Sequence, residues 1–437
     1  MKLPVCPCLG RISTPVSEWG LAPSRIERPT NASEAAQALA ALARQDGPVW
    51  IVGLATRLAA CPPVPARAAL VGTGSLTGIV AYEPADLTLT VRGGTPLEEV
   101  HEVLAAHRLE LPGSHFGLDG GTVGGALASG TNDFRRGSAG PLRDRILGME
   151  VAGPDGRVTR SGGRVVKNVS GYDLFRLHAG AMGSLGLISE ATLRLAPQPE
   201  AHASFERTYD DPAQAGRDGL RIALEAPAVG LCAVTTDGQE VRLAWVHEGD
   251  REWVAEGVRW SESAFGAQCA GDHPDGPGSF EARMRHKALE HICPLPSNLL
   301  LRANLLPSRI PELLAGWHRA GVSFAGASLL AGTALARLDF AAPEAHARAR
   351  AAAGVATSLG GWYRLQGAWR PETALPAGRV PTAVPDEADV PWGGVETPWQ
   401  LYARLKRAFD PALTLGPPVF ARAAPGAAGQ VIAAGAR

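Results

Sequence analysis

Glycine residues are concentrated between Gly113 and Gly186, where they fall into four clusters within about seventy residues. The clusters lie at residues 120–125, 129–130, 167–173 and 183–186. A glycine lets the backbone approach a ligand closely, and successive N–H groups of such a loop can hold anionic oxygens. A single glycine pair would be explained by a tight turn. Four clusters interleaved with strand patterns favour a cradle for a phosphate-bearing cofactor, whose identity the residues alone do not fix.

Other cofactor and catalytic motifs are absent from the sequence. A dinucleotide-binding fingerprint needs G-x-G-x-x-G directly after a strand, whereas residues 52–57 contain one glycine. The sequence has no G-x-x-x-x-G-K-[ST] phosphate loop, no G-x-S-x-G nucleophile turn and no H-E-x-x-H metal motif. Cys6 and Cys8 form an isolated C-P-C with no second Cys or His pair nearby, so we predict no metal site.

The elements expected to position these clusters follow from apolar periodicity and turn residues. A helix is predicted at 32–45, because Asn31 can cap it and Glu34 stands three residues later, with Gly47-Pro48 after its end. Short apolar or alternating runs predict strands. We place strands at 49–52, 87–91, 146–152, 157–160 and 189–195, and a second helix at 97–107 with the apolar face Leu97, Val100, Val103 and Leu104.

Pro197-Gln198-Pro199 marks the expected boundary between two halves of the chain. Beyond it the patterns are weaker and predict a mixed α+β domain. They indicate strands at 229–235 and 240–247, helices at 281–291, 311–319 and 397–409, a buried element at 322–336 and a Pro- and Gly-rich loop at 366–397. The expected organisation is an N-terminal arm at 1–27, a first domain at 28–197, a second at 198–420 and a disordered tail at 421–437.

The order of these motifs resembles the PCMH-type FAD-binding domain shared by vanillyl-alcohol oxidase, D-lactate dehydrogenases and glycolate oxidases. The short glycine-containing loop is at 53–57 and the run Y-x-P-x-D-L-T-x-T-V-x-x-G-T-P-L is at 82–97. R-D-x-x-L-G follows at 143–148. K-N-V-x-G-Y-D-L at 167–174, combined with G-S-x-G-x-x-S-E at 183–190, is most similar to the FAD-binding (E) subunits of glycolate oxidases.

The resemblance implies FAD as the cofactor and an α+β fold: a PCMH-type FAD-binding domain of two α+β subdomains, followed by a mixed α+β C-terminal cap domain. Residues 53–57 would lie against the pyrophosphate. Residues 121–125, with Ser129 and Gly130, would line the flavin ring and ribityl chain, and Gly183, Leu187 and Ile188 would offer backbone groups to the adenine end. Residues 167–173 would border the same cleft, although a structural polar turn explains them equally well. The implied cofactor-binding residues are Gly53, Leu54, Ala55, Thr56, Arg57, Gly121, Thr122, Val123, Gly124, Gly125, Ser129, Gly130, Lys167, Asn168, Gly171, Tyr172, Asp173, Gly183, Leu187 and Ile188.

Two departures from the family pattern bear on function. Relatives carry Gly or Asn where this sequence has Ala55, and if that position needs a positive φ, alanine costs about 1 kcal/mol there. Relatives that oxidise the hydroxy acid themselves carry a C-terminal G-D-G-N-x-H type motif, whose histidine serves the substrate, and it is absent here. Phe409-Asp410-Pro411 resembles the family's F-D-P, but the asparagine expected after it is missing. The sequence therefore leaves the catalytic residues unassigned.

The functional hypothesis is an FAD-binding subunit of a glycolate (2-hydroxy acid) oxidase or dehydrogenase complex. Its expected partners are a catalytic D-type flavoprotein subunit and an iron–sulfur subunit that carries the electrons onward. A non-catalytic assembly subunit that has lost FAD and a stand-alone D-lactate or sugar oxidoreductase remain alternatives. With 42 basic and 43 acidic residues, the charge balance does not favour nucleic acid. No apolar run of membrane-spanning length or signal-peptide core is present, so we expect a cytoplasmic protein, with membrane association only through its partners.

Overall fold

The first half of the chain folds around two β-sheets and the second half around a third, larger sheet. The computed structural model describes residues 23–45, 47–55, 68–114, 121–130, 135–163, 173–236, 240–266, 298–322, 324–339, 345–367, 392–393 and 399–416. Helices and sheets alternate in both halves, which confirms the predicted α+β class. No helix in these ranges is long and apolar enough to cross a membrane.

A three-stranded parallel sheet with the strand order β1-β3-β2 comes first. It consists of β1 (Arg25–Glu27), β2 (Val49–Val52) and β3 (Ala69–Gly72), with helix α1 (Ala32–Ala43) packed beside it. The predicted cap is confirmed, because the Glu34 N–H donates to Asn31 Oδ1 at 2.9 Å. The Glu34 carboxylate in turn accepts from the Thr30 N–H at 2.8 Å. Helix α1 therefore begins with side-chain hydrogen bonds in both directions, and it connects β1 to β2.

A five-stranded antiparallel sheet with the strand order β4-β5-β9-β7-β8 follows. Its strands are β4 (Ile79–Glu83), β5 (Thr88–Arg92), β7 (Ile146–Ala152), β8 (Val158–Gly162) and β9 (Leu187–Arg194), and its helices are α2 (Leu97–Ala105) and α3 (Val123–Ser129). Helix α2 buries Leu97, Val100 and Leu104, as its periodicity predicts, while Val103 is only half-buried. The short pair β6 (Leu109–Glu110) and β10 (Ala196–Pro197) closes this half.

The second half contains an eight-stranded antiparallel sheet. Its strands are β11 (Ala201–Tyr209), β12 (Val229–Thr236), β13 (Val241–Gly249), β14 (Asn298–Asn304), β15 (Phe324–Ser328), β16 (Thr333–Asp339), β17 (Trp362–Gly367) and β18 (Trp392–Gly393), in the order β11-β13-β12-β15-β16-β14-β17-β18. Short helices α4 (Arg136–Ala139) and α5 (Phe175–His178) precede it; with it come α6 (Pro212–Glu225), α7 (Arg251–Phe265), α8 (Ile310–Arg319), α9 (Ala345–Ser358) and α10 (Trp399–Phe409).

The large sheet uses its two faces differently. Residues such as Leu243 and Trp245 pack with the helices in one apolar core. The alternate positions, including Val246, point to the opposite face. The first half contacts the sheet near this face, since the Ser138 hydroxyl donates to Gly230 O at 2.7 Å. Arg135 joins the halves here, because its guanidinium lies 3.0 Å from Glu248 Oε1 and 2.9 Å from Glu110 Oε2.

Several sequence-based expectations can be compared with these elements. The hairpin of β7 and β8 around Pro154-Asp155-Gly156 is confirmed, and the element expected at 322–336 is the β15–β16 hairpin. Helices α6, α7 and α9 were not predicted. The expected helix at 281–291, the tail at 421–437, most of the 366–397 loop and most of the arm at 1–27 lie outside the described residues. The domain boundaries stay a prediction.

Candidate cofactor site

Three segments that are far apart in sequence meet at the carboxyl end of β2. A Cβ atom on Gly53 would lie 2.6 Å from Thr122 Oγ1, so the loop after β2 touches the start of α3. A Cβ atom on Gly183 would lie 3.6 Å from the Ile51 side chain, so the 183–186 turn lies against the same strand. The structure thus brings together the pyrophosphate, flavin and adenine segments that the sequence suggests.

The first turn of α3 is held by the protein itself. Thr122 caps the helix, with its Oγ1 accepting from the Gly125 N–H at 3.0 Å. The Val123 N–H donates to Thr95 O at 2.9 Å and the Gly124 N–H to Gly93 O at 2.7 Å. These three N–H groups are therefore already used within the protein, and residues 123–125 border the site rather than supply its hydrogen-bond donors.

Gly93 and Gly94 lie where backbone segments pack directly on one another, Gly93 against β9 of its own sheet and Gly94 against the segment after β3 of the parallel sheet. A Cβ atom on Gly93 would lie 2.0 Å from Ile188 O, and one on Gly94 would lie 1.9 Å from Thr73 O. Both are backbone atoms that cannot move aside without shifting a strand. The two glycines belong to the family-like run at 82–97, but sequence reasoning did not single them out as site residues.

The carboxyl end of α3 packs against the segment that leads into the 183–186 turn. Gly130 ends the helix with φ of 60°, and a Cβ atom there would lie 3.1 Å from Gly180 Cα. The Met182 N–H donates to Ala128 O at 2.7 Å, while the Ser129 hydroxyl donates to Ala126 O at 3.1 Å. The predicted residues 129–130 therefore lie beside the turn, although the Ser129 hydroxyl donates its hydrogen bond within its own helix.

Ala55 has a positive φ, the case in which the sequence analysis expects alanine to cost free energy at this position. Its φ is +59°, a region that costs a non-glycine residue roughly 1–2 kcal/mol. Its methyl group packs with the small apolar cluster of Trp50 and Val52. The loop after β2 therefore reaches its shape against a local conformational cost.

Three buried polar atoms around these segments have no hydrogen-bond partner among the described residues: Trp50 Nε1, Thr73 Oγ1 and His178 Nδ1. Thr73 lies at the junction, since its N–H donates to Val52 O at 2.9 Å and its carbonyl faces Gly94. Burial lowers the pKa of His178 to about 4, and its ring meets Phe409 edge-on at 5.4 Å. Orphaned buried groups of this kind are costly unless a ligand or water satisfies them.

The remaining predicted site residues differ in what they can offer a ligand, and Leu54 is half-buried in the loop after β2. Leu187 and Ile188 bury their side chains in the sheet cores, so only their backbone can face a ligand. Asp173 is exposed and accepts a hydrogen bond from Arg176 Nε at 3.0 Å, which is a surface ion pair. The others lie outside the described residues; they are Thr56, Arg57, Lys167, Asn168, Gly171 and Tyr172.

A buried ion pair next to the 183–186 turn was missed by sequence reasoning. Lys406 is 1% exposed, and its Nζ donates to Asp410 Oδ2 at 2.6 Å and to Ser184 O at 2.6 Å. Burial lowers the pKa of Lys406, and the neighbouring carboxylate opposes that shift. The only signals in the sequence were the F-D-P triplet and a lysine four residues before its aspartate.

The sheet face that points toward the first half carries polar residues on β14. Asn304 Oδ1 accepts from the Thr333 hydroxyl at 2.9 Å, and its buried Nδ2 has no partner among the described residues. Arg302 is two positions away on the same face, directly opposite Arg364 on β17. Arg337 of β16 is diagonal to it, because it pairs with residue 300. Three arginine positions therefore adjoin on three neighbouring strands.

The described residues contain no group of three or more His, Cys, Asp or Glu side chains suited to a metal ion. His247 lies on the helix-covered face, where its ring contacts Pro227 O at 2.7 Å and Ser261 Oγ at 2.8 Å. Both ring nitrogens are therefore used within the protein.

Part of the first half of the chain is similar to known proteins. Residues 23–162 match the model of a family described as an FAD binding domain. The chain is 40% identical over 132 residues to glycolate oxidase subunit GlcE of Escherichia coli (strain K12), covering 30% of this chain and 37% of that protein. It is 28% identical over 191 residues to glycolate oxidase subunit GlcD of Bacillus subtilis (strain 168), covering 43% and 40%. The match spans only about two fifths of these relatives.

A D-lactate dehydrogenase of Archaeoglobus fulgidus is similar at 30% identity over 174 residues, which cover 40% of this chain and 39% of that protein. Among solved structures, an alkyldihydroxyacetonephosphate synthase superposes with a TM-score of 0.59, covering 89% of this chain and 75% of the other. Sequence identity in that superposition is 14%, so it speaks for the fold alone.

Proposed function

Because residues 23–162 belong to the FAD-binding domain family, we propose that this chain binds FAD where β2, α3 and the 183–186 turn meet. We further propose that it is the FAD-binding subunit of an enzyme complex that oxidises a 2-hydroxy acid such as glycolate. The observation that carries the proposal is the junction of Gly53, Thr122 and Gly183 at one end of β2.

The described residues fit such a cofactor. Thr73 is 5% exposed and its hydroxyl has no hydrogen-bond partner among the described residues, so a ligand group at the junction would satisfy it. Residues 53–57 are the proposed pyrophosphate donors, because the Val123 and Gly124 N–H groups are engaged elsewhere. Residues 121–130 would border the flavin and 183–188 the adenine, with 167–173 at the rim of the cleft. FAD would supply the acceptor for hydride from the substrate's α-carbon.

The arginine positions on the large sheet support an acidic substrate. A guanidinium is the side chain best suited to hold a carboxylate by paired, charge-assisted hydrogen bonds. Arg302 stands beside the orphaned Asn304 amide on the face that covers the first half. We propose that this pair receives the carboxylate of the 2-hydroxy acid.

Steady-state kinetics of the Arg302→Met variant test this assignment, in the assembled complex with a dye acceptor. We expect the KM for glycolate to rise about tenfold or more, the equivalent of one lost charge-assisted hydrogen bond. Arg242→Met is the matched control, because it removes a guanidinium from the same sheet face near the far edge, where Arg242 pairs with Glu206 and Glu240. Equal effects of the two substitutions on KM would rule out a specific role for Arg302.

Electron transfer beyond the flavin would need other subunits. The described residues provide no metal-binding cluster, and the sequence similarity is to subunits named GlcE and GlcD. We propose a D-type flavoprotein and an iron–sulfur protein as partners, with the complex in the cytoplasm or at the inner face of the membrane. Co-purification with a tagged chain, followed by flavin and iron quantitation, tests this. A chain that turns over glycolate or D-lactate alone would support the stand-alone alternative.

A second candidate function is an assembly subunit without FAD. Ala55 favours it, since the loop that would meet the pyrophosphate holds a strained conformation. A colourless chain that takes up no added FAD but still co-purifies with its partners would identify this role. Glycolate turnover by the complex would then require the chain, although the chain itself carries no flavin.

A further inference from the structure

The Lys406–Asp410 ion pair is completely enclosed by protein. Lys406 is 1% exposed and Asp410 0%. The three N–H bonds of the ammonium group are matched by three acceptors, which are Asp410 Oδ2 at 2.6 Å, Ser184 O at 2.6 Å and Leu415 O at 2.8 Å. Asp410 Oδ2 also accepts from the Leu415 N–H at 2.8 Å. Lys406, Asp410 and the Ser184 and Leu415 carbonyls therefore form a hub in which each ammonium N–H has an acceptor.

This hub ties three segments of the chain together. One is α10 with the residues just after it. The second is the edge of the parallel sheet, where the Val49 N–H donates to Thr414 O at 2.8 Å and the Gly416 N–H to Val49 O at 2.7 Å. The third is the 183–186 turn, through the carbonyl of Ser184. The segment after α10 thus adds to the sheet whose β2 leads directly into the proposed pyrophosphate loop.

The hub fixes the orientation of the turn. Gly183 and Gly186 have φ of +78° and +150°, conformations that glycine reaches easily. The Ser184 N–H and hydroxyl are held within the segment, since both donate to Ala181 O, at 3.0 and 2.6 Å, whereas the Ser184 carbonyl accepts from Lys406. The carbonyl of Ser184 is drawn to Lys406, and because the peptide is planar and trans, the N–H of Leu185 on the same plane points away from Lys406. Removing Lys406 would release this plane.

Stability alone does not require an ion pair here. A buried pair costs several kcal/mol of desolvation per ion, and apolar side chains of similar volume often serve the fold as well or better. What an apolar pair cannot do is hold a carbonyl of a separate turn in one direction. The geometry therefore points to a positioning role.

We propose that Lys406 and Asp410 position the 183–186 turn for FAD, so that the C-terminal helix α10 is part of the cofactor site. The inference rests on the proposed FAD function. Neither residue touches the cofactor; they act through the Ser184 carbonyl. The flavin domain is then completed by a segment that lies more than 200 residues later in the sequence.

The experiment measures the Kd for FAD by quenching of flavin fluorescence, and the melting temperature of the FAD-free protein, for three full-length chains: wild type, Lys406→Met and Lys406→Met/Asp410→Leu. The single substitution leaves the Asp410 carboxylate buried without its cation, so both the melting temperature and FAD affinity should fall. The double substitution should restore most of the melting temperature. Its Kd should stay raised about tenfold or more, a factor that equals about 1.4 kcal/mol.

A double variant with restored melting temperature and a wild-type Kd would overturn the proposal, because the pair would then be purely structural. If the double variant does not fold, the test uses the Kd of Lys406→Met at a temperature where circular dichroism shows it folded. A Kd raised about tenfold or more supports the proposal, and a wild-type Kd overturns it. Wild-type protein that binds no FAD would instead overturn the proposed function, so the two failures are distinguishable.

Discussion

Replacing Ala55 by glycine is the most direct way to test whether the loop after β2 limits FAD binding. Ala55 holds φ of +59°, and the left-handed region costs roughly 1–2 kcal/mol for a residue with a Cβ atom. Glycine reaches the same φ without that cost, but it gives the unfolded or relaxed loop about 0.4–1 kcal/mol more conformational entropy to lose. The net gain for the ordered loop is therefore on the order of 1 kcal/mol or less.

We expect Ala55→Gly to lower the Kd for FAD about two- to fivefold, because about 1 kcal/mol corresponds to roughly a factor of five. The measurement is a fluorescence titration of FAD-free protein. Ala228→Gly is the matched control: Ala228 has φ of +56° in the turn before β12, away from the junction. It releases the same kind of backbone strain, so its melting temperature should change while its Kd for FAD does not.

The reasoning about Ala55 fails if Ala55→Gly binds FAD no more tightly than wild type while its melting temperature rises as in Ala228→Gly. The strain would then be a property of folding alone. It also fails if glycine weakens FAD binding, because the loop would then need the rigidity of alanine more than relief from strain.

Three further predictions concern the frame of the site. Gly93→Ala would place a Cβ atom 2.0 Å from Ile188 O, so a strand must shift; we expect a loss of about 3 kcal/mol in urea unfolding, and an unchanged midpoint would disprove the close approach. Arg135→Met leaves two buried carboxylates without their cation, and we expect it to lower the free energy of unfolding by about 3–5 kcal/mol, whereas a loss below 1 kcal/mol would mean that the pair is effectively solvated. The folded-state pKa of His178 is about 4, below its ordinary 6.5, so its neutral form stabilises the fold above pH 6.5 and this contribution, on the order of 3 kcal/mol, is lost as pH falls from 6.5 through 4. His178→Phe should flatten stability over that pH window relative to wild type, and parallel pH profiles would contradict the assignment.

Local signals in the sequence predicted local structure. Asn31 and Glu34 specify the start of α1, and the turn at 154–156 specifies the β7–β8 hairpin, because in each case the interacting residues are neighbours in sequence. Glycines at 124, 130 and 186 likewise lie where the chain comes close to itself, since a Cβ atom on each would lie 3.1 Å or less from another segment. These features needed no knowledge of distant contacts.

Helix α6 shows why other elements were missed. Asp211 and the following proline are ordinary start signals, and Asp211 does cap the helix. Gly216 and Gly219 in its middle lower helix propensity by about 1 kcal/mol each relative to alanine. Their reason is tertiary: a Cβ atom on Gly216 would lie 2.8 Å from Pro311 Cα, and one on Gly219 would lie 2.9 Å from a Leu243 methyl carbon. Such packing between helix and sheet cannot be inferred from a local pattern.

The site was predicted in part for the same reason. The segments of Gly53, Thr122 and Gly183 were expected to line one cleft; Gly53 lies against Thr122 and Gly183 against Ile51 of the preceding strand, while their role toward FAD stays a prediction. That Gly124 packs on Gly93, and so serves the frame, depends on the register of two distant segments. A lysine four residues before an aspartate in an amphipathic helix reads as an exposed ion pair. Only the fold shows that Lys406 and Asp410 are buried beneath the 183–186 turn.

The central claim is that this chain holds FAD in the junction at the end of β2, and flavin stoichiometry tests it most directly. The full-length protein should be purified, incubated with excess FAD and freed of unbound flavin. Its absorbance at about 450 nm, divided by the protein concentration, then gives the amount of FAD per chain. The account predicts about one FAD per chain. Protein that stays colourless and takes up no FAD, although circular dichroism shows it folded, would contradict it.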